Sequence, residues 1–289
     1  MANGQWFPQD WPERIRALAE GTLTPVVPKR AATVMLLKDT DTGPAVHMLR
    51  RRASMAFAGG AYAYPGGGVD PRDDDHGIRW SGPTRAWWAR RLAVTETEAQ
   101  AIVCAAVRET YEEAGVLLAG PTADSVVGDT TGADWESDRA ALVARDLSFA
   151  EFLERRGLVL RSDLLGAWTR WITPEFESRR FDTWFFVAAL PAGQRTRNAS
   201  TEADRTVWIR PADAAASYDK GELLMMPPTI ATLRQLIAYP AAAEALAAAP
   251  DRDLTPVLAR ARLDGEEIVL SWPGHEEFTK HIPTGGAPA

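Results

Sequence analysis

One stretch constrains this chain more than any other. Thr95 and Glu98 form a capping box, Gly115 stands where a helix would close, and the residues between them, "ETEAQAIVCAAVRETYEEA", contain no glycine or proline. They predict a helix over 96–114. Its middle is apolar (Ile102, Val103, Ala105, Ala106, Val107), so it has to pack against other elements rather than stand in solvent. Its last turns carry Glu109, Glu112 and Glu113, which fall on one face at about 100° per residue. Three carboxylates so placed repel one another unless a cation holds them, and hard divalent ions such as Mg2+ or Mn2+ favour oxygen ligands of this kind. On the helix alone, a solvated acidic face with Arg108 paired to Glu112 is an equal alternative. The apolar middle and an upstream glycine triplet, Gly66–Gly68 after Pro65, tip the balance. Such a triplet lets backbone groups approach a phosphate or a metal closely.

The surrounding chain alternates strand and helix signals. The apolar run 31–37, ended by "KDTDTGP", predicts a hairpin with "AVHMLRRR". No helix passes through "FAGGAYAYPGGGVDP", and "RDDDHGIRWSGPTRAWWARRLAV" reads as an inserted excursion. "GDTTGADWESD" reads as loop and 138–158 as helix broken near Asp146. "LLGAWTRWITP" and "FDTWFFVAALP" suit two paired strands, and "RTVWIRP" a further one. "PADAAASYDKGE" and "PPTIATLRQLIA" open on proline, a normal first-turn residue. An alanine-rich helix within 239–250 and a hairpin turned at Asp264 and Gly265 complete the pattern, which is that of an α/β fold.

Composition narrows the function classes. Across 289 residues, 32 Lys and Arg stand against 39 Asp and Glu, a net charge of −7, so nothing electrostatic argues for nucleic acid. The single cysteine, Cys104, excludes an internal disulfide framework, fits a reducing compartment and reads as inert core. The N-terminal residues make a poor targeting signal, and no apolar run approaches the roughly 20 residues that span a bilayer. A cytoplasmic protein without membrane contact is expected. His47, His76, His275 and His281 lack H-E-x-x-H spacing, and neither G-x-S-x-G nor a P-loop occurs. Zinc proteases, serine α/β-hydrolases and P-loop NTPases are thereby unsupported.

The nine residues "RETYEEAGV" (108–116) resemble the second half of the Nudix hydrolase signature, G-x5-E-x7-R-E-U-x-E-E-x-G-U with U aliphatic, and "YPGGGVDP" resembles the strand and loop that open it. "LRRRASMAFAGGAYAYPGGG", "RRFDTWFFVAALP" and "MMPPT" are similar to the long, insertion-bearing branch that includes peroxisomal coenzyme A diphosphatases. The resemblance covers roughly 30–230. It implies an α/β/α sandwich and Mg2+- or Mn2+-dependent hydrolysis of a nucleoside diphosphate linked to another moiety. By position, Glu112 and Glu113 would be metal ligands, with the carbonyl of Gly66 a further one. Glu109 would be a ligand or the group that orients or deprotonates water, and Arg108 would position a carboxylate through its planar fork. If Gly67 opens the signature, its arginine should fall at 81; it stands at 108, an insertion of 27 residues placed at about 73–99. The signature's first acid, set seven intervening residues ahead of the arginine, falls on Gln100. Glu98 lies about 16 Å along the helix from Glu109 and can cap it but not share an ion. The resulting division is an N-terminal lead (1–29), the Nudix domain (30–230) and a C-terminal helical extension and tail (231–289).

Other residues leave alternatives open. Arg179 and Arg180, with Asp182, could face substrate phosphates or form a surface ion pair at a strand start. Glu175, Glu177 and Glu202 are candidates for an extra loop carboxylate, with Glu202 preferred because it precedes the strand "RTVWIRP". Trp80, Trp87 and Trp88 could cover the site or form the contact of a homodimer, whereas Trp184, Phe185 and Phe186 read as core. Two functions compete: a metal-dependent hydrolase of a small-molecule diphosphate, possibly of coenzyme A type, and a Nudix-fold sensor or interaction module that binds a nucleotide derivative without turnover.

Overall fold

The computed structural model describes residues 10–54, 59–200, 202–264 and 267–272. Helix α1 (Trp11–Ala19) precedes strands β1 (Lys29–Thr40), β2 (Gly43–Arg51), β3 (Tyr62–Ala63) and β4 (Gly66–Gly68). A 3-10 turn at Pro71–Asp74, β5 (Trp80–Ser81) and α2 (Arg85–Leu92) lead into α3 (Glu96–Ala114). Then come β6 (Ala119–Gly120), α4 (Ala133–Val143), α5 (Phe149–Arg155) and β7 (Val159–Arg161). The second half holds β8 (Gly166–Ile172), β9 (Phe181–Ala189), β10 (Ala203–Ile209), α6 (Pro211–Asp219), α7 (Pro227–Leu236) and α8 (Ala242–Ala248). The short strands β11 (Val257–Leu258), β12 (Arg260–Asp264) and β13 (Glu267–Ser271) follow.

The main sheet runs β10-β2-β1-β9-β8-β11, with β3 paired to β2 and β4 to β1. Strands β1 and β9 pair in parallel, from Lys29 opposite Phe181 to Leu37 opposite Ala189; β1 and β2 form the expected antiparallel hairpin. Period-two alternation sorts the side chains. Ala32, Val34, Leu36, Trp184 and Phe186 face α2, α3 and α5, whereas Met35, Leu37, Val46, Met48, Phe185 and Val187 face α1, α6, α7 and α8. The result is the expected α/β/α sandwich. A small second sheet, β5-β7-β6, joins the insertion to the segment after α3. Among the described residues no helix is long and apolar enough to cross a membrane.

Several boundaries differ from expectation. "ADWESD" is helical rather than loop: Gly132 takes an extended N-cap conformation, α4 starts at Ala133, and Asp138, Arg139 and Leu142 are buried. The break before α5 is real, with Arg145 at φ 64° and a capping box on Ser148 and Glu151. The division at 230/231 falls inside α7, whose prolines start it at Pro227. The segment beyond α8 is not only helical, because β11 pairs in parallel with β8. The closing hairpin forms as β12 and β13; Gly265, His275 and His281 lie outside the described residues. The N-terminal lead is anchored by α1, which buries Trp11 and Ile15.

Candidate active site

Helix α3 has the limits that its caps dictate. Thr95 Oγ1 accepts the Glu98 N–H at 3.3 Å, the Glu98 carboxylate accepts the Thr95 N–H at 3.0 Å, and Gly115 closes the helix at φ 70°. From Ala99 to Val107 every residue is buried, so the helix is wedged between the sheet, α2 and the 3-10 turn. Beyond its exposed first turn, it emerges again near its C-terminal end, beside β4, and there Glu109, Glu112 and Glu113 sit together. The glycine strand is needed on that side. A Cβ on Gly67 would lie 2.5 Å from the Glu109 carboxyl carbon, and one on Gly66 would lie 2.6 Å from the Ala32 carbonyl oxygen.

Arg108 is the hub. Its Nε and Nη2 donate to the two oxygens of Asp73 at 3.0 and 2.9 Å, a fork-to-fork ion pair. Nη1 reaches Glu109 at 2.7 Å and Glu112 at 3.3 Å, and Nη2 also meets the Gly68 carbonyl at 2.9 Å. The i,i+4 pair and the positioning fork are therefore both present. Asp73, at 1% exposure, is the residue that the backward count missed. Counted forward from Gly67 through five residues, the signature's acid is Asp73, so the extra residues follow the acid instead of preceding it. Gln100 is a buried spacer, accepting from Arg85 and donating to the Asp75 carbonyl at 2.6 Å, and Glu98 caps α3 and pairs with Arg30.

Glu113 accepts the Gly66 N–H at 2.8 Å and the Ser200 hydroxyl at 3.3 Å. Burial pushes its carboxyl up to about 8, helped by the charges of Glu109 and Glu202. Burial likewise lifts Glu109 to about 7 against the pull of Arg108, and raises Glu112. Glu109 and Glu112 share the Arg108 guanidinium with Asp73, and Glu113 adds a third desolvated acid, so the cluster is short of positive charge. Among the described residues no three acid, imidazole or thiol side chains already converge on one ion position, since Glu109 and Glu112 turn to Arg108 and Glu113 turns to Gly66. Even so, the donor set, all hard oxygens with unmet charge beside a Cβ-free strand, fits a divalent ion.

The remaining candidates separate clearly. Glu202 is linked to the cluster through its backbone N–H, which donates to Ser200 Oγ at 3.2 Å; its carboxylate lies 3.7 Å from Arg51, and its charge is felt by Glu113. Glu177 does not, lying instead with Arg14 and Asp10 of the N-terminal segment, where burial raises its carboxyl to about 7. Glu175 is exposed. Arg180 is buried, with Nε donating to the Thr173 carbonyl (3.0 Å) and Nη1 to the Val26 carbonyl (2.7 Å). Arg179 is exposed and lies over the Phe181 ring, and Asp182 is held by Arg170 in a two-bond pair. Trp88 is core, edge-on to Phe186 at 5.9 Å; Trp80 bonds the Pro83 carbonyl, and Trp87 is the most exposed of the three. Trp184, Phe185 and Phe186 are buried, as expected.

Comparison with known proteins fits this geometry. Residues 89–236 match the family model of the NUDT19 Nudix domain. The acyl-coenzyme A diphosphatase NUDT19 of Xenopus laevis is 30% identical over 146 residues, 46% of this chain and 38% of that protein. The putative nudix hydrolase 7 of Caenorhabditis elegans is 26% identical over 208 residues, 72% of this chain. The chain thus spans 38% and 60% of the lengths of these two relatives. The crystal structure of a Nudix hydrolase from Alicyclobacillus acidocaldarius aligns with a TM-score of 0.67 at 27% identity, covering 77% of this chain and 96% of that one.

Proposed function

The chain belongs to the Nudix family defined by the NUDT19 Nudix domain, and on that premise we propose that it hydrolyses the diphosphate linkage of a nucleoside diphosphate derivative, with Mg2+ or Mn2+ as cofactor. Coenzyme A and its acyl derivatives are the first substrates to test, because the Xenopus laevis relative is named an acyl-coenzyme A diphosphatase. The observation that carries the reading is the desolvated trio Glu109, Glu112 and Glu113, the first two bonded to Arg108 and the third to the first of three strand glycines.

In this reading Glu109, Glu112, Glu113 and the Gly66 carbonyl hold the divalent ion. When bound, the ion supplies positive charge against the diphosphate oxygens and acidifies water. The protein's own work is positioning and proton transfer. Arg108, locked by Asp73, fixes where the side chains of Glu109 and Glu112 stand before an ion is bound. Glu202, carried on a loop at the mouth of the cluster, is the acceptor for the proton lost by the attacking water; Glu109 is the competing candidate. Arg179 is left as an exposed cation for the far end of an anionic substrate, whereas Arg180 serves the fold.

The test is product release from coenzyme A, acyl-coenzyme A, NADH and a nucleotide sugar with Mg2+ or Mn2+. Wild type is compared with Glu112→Gln and Glu113→Gln. Turnover by wild type and loss of at least a hundredfold in both variants is expected. Equal rates in all three proteins, or no turnover with any diphosphate, would overturn the assignment.

A further inference from the structure

A second group of charged residues lies behind the carboxylates, on elements outside the signature. Arg139 of α4 is buried, and its Nη1 bridges two carbonyls: that of Glu112 at 2.7 Å and that of Ala199 at 3.1 Å. One nitrogen thus joins the last turn of α3 to the loop after β9. Glu136, one turn earlier on α4, holds the guanidinium from behind, accepting from Nε at 3.0 Å and from Nη2. The same carboxylate accepts from Arg197 Nη2 at 3.1 Å. Arg197 also donates its backbone N–H to the Ala114 carbonyl at 3.0 Å, and its guanidinium fills the space beside Gly115, where a Cβ would lie 2.7 Å from Cζ. The loop is therefore clamped at 197–199 by α4 and the end of α3, and at Glu202 by β2, where the Arg52 N–H meets the Glu202 carbonyl at 2.8 Å. Between these two ties stands Ser200, whose hydroxyl touches Glu113.

We infer that Arg139, held by Glu136, is a positioning residue that sets the loop carrying Ser200 and Glu202 against Glu113. The physical case is one of satisfied groups. Carbonyls at a helix C-terminus lack intrahelical donors and carry partial negative charge, so a buried guanidinium is their natural partner. Its planar fork serves Glu136 and both carbonyls at once, which a lysine ammonium cannot do in the same geometry. Releasing it frees one end of the loop, and a displacement of about 1 Å at a reacting group can cost on the order of a hundredfold in rate. This inference rests on the hydrolase reading, in which Glu202 takes the proton.

The experiment is a double-mutant cycle on the full chain, with an activity-independent measurement beside it. Arg139→Ala should lower kcat by ten- to a hundredfold with little change in KM, Arg139→Lys should restore only part of the loss, and Glu136→Gln should fall between. In a Glu202→Gln background the further loss on Arg139→Ala should shrink below about threefold, because the group being positioned is gone. Hydrogen exchange without substrate should show the amides of 197 and 199 exposed at least tenfold faster in Arg139→Ala and Glu136→Gln, with the interior of α3 unchanged. Fully multiplicative losses in the cycle, an unchanged kcat, or unchanged loop exchange would overturn the inference. If wild type hydrolyses no diphosphate, the hydrolase reading fails, while loop exchange still judges the clamp by itself. Should Arg139→Ala not fold, Glu136→Gln carries both arms.

Discussion

Replacing Asp73 by alanine tests whether the insertion completes the site or merely interrupts it. The substitution deletes both oxygens of the fork on Arg108 and the acceptor for the Asp70 N–H that starts the 3-10 turn. Leaving a buried charge with no partner costs about 3–5 kcal/mol. Arg108 is not abandoned, since Glu109, Glu112 and the Gly68 carbonyl remain within reach, so the expected loss is smaller, about 2–3 kcal/mol. For a chain of this size that lowers Tm by about 3–5 °C. Urea unfolding should show a lower midpoint at unchanged slope, as a change confined to the native state requires. Activity should fall further than stability explains, because Arg108, freed from its fork on Asp73, no longer fixes the positions of Glu109 and Glu112. Asp73→Glu, which reinstates the signature's own acid, should recover most of the activity. A loss below 1 kcal/mol, or full activity in Asp73→Ala at a temperature where it is folded, would refute the reasoning.

Three further outcomes follow from the same contacts. Gly67→Ala places a methyl 2.5 Å from the Glu109 carboxyl; that group can swing away, so stability should drop by only about 1 kcal/mol while kcat falls at least tenfold, readable by pairing calorimetry with turnover. Saturating Mg2+ or Mn2+ should raise the wild-type Tm, by the equivalent of about 2.7 kcal/mol at a hundred times Kd, and leave Glu113→Gln nearly unmoved; equal shifts in both would place the ion elsewhere. His47 is 1% exposed with neither ring nitrogen bonded among the described residues, and burial with the nearby Lys38 charge depresses it from 6.5 to about 4. It stays neutral in the native chain while the unfolded chain takes up its proton, so this contribution is complete above pH 6.5 and is lost as pH falls toward 4, about 3 kcal/mol in all. The difference in unfolding free energy between wild type and His47→Leu should therefore vary with pH only across that window.

How much of this was legible in the residues depended on distance along the chain. The limits of α3 could be read because Thr95, Glu98 and Gly115 act through bonds to their own neighbours. The carboxylate face followed from helical geometry alone. Asp73 was missed because the count ran backward from Arg108 across an insertion; its partner lies 35 residues on, and only the fold brings the two together. Arg139, though in a segment read as helix, was hidden for a similar reason: the carbonyls it bridges lie 27 and 60 residues away along the chain. Arg180 could not be decided from its neighbours in the sequence. An arginine at a strand start looks the same whether it meets a phosphate or two carbonyls, and its burial is set by Val26, over a hundred and fifty residues away.

The parallel pairing of β1 with β9 has a consequence for how the molecule comes into being. Its two strands lie about 150 residues apart, so the centre of the sheet is a contact of high order. At ordinary synthesis rates, roughly 10–30 s pass between the emergence of one strand and the other. For the later part of that interval, once Ala114 has been made, α3 with its buried middle exists without β9, part of the surface it will lie on. The carboxylates at its end can come to rest only after the chain's second half has arrived. A nascent fragment that stops before β9 should therefore depend on a holding partner, and the site forms as one of the last acts of folding.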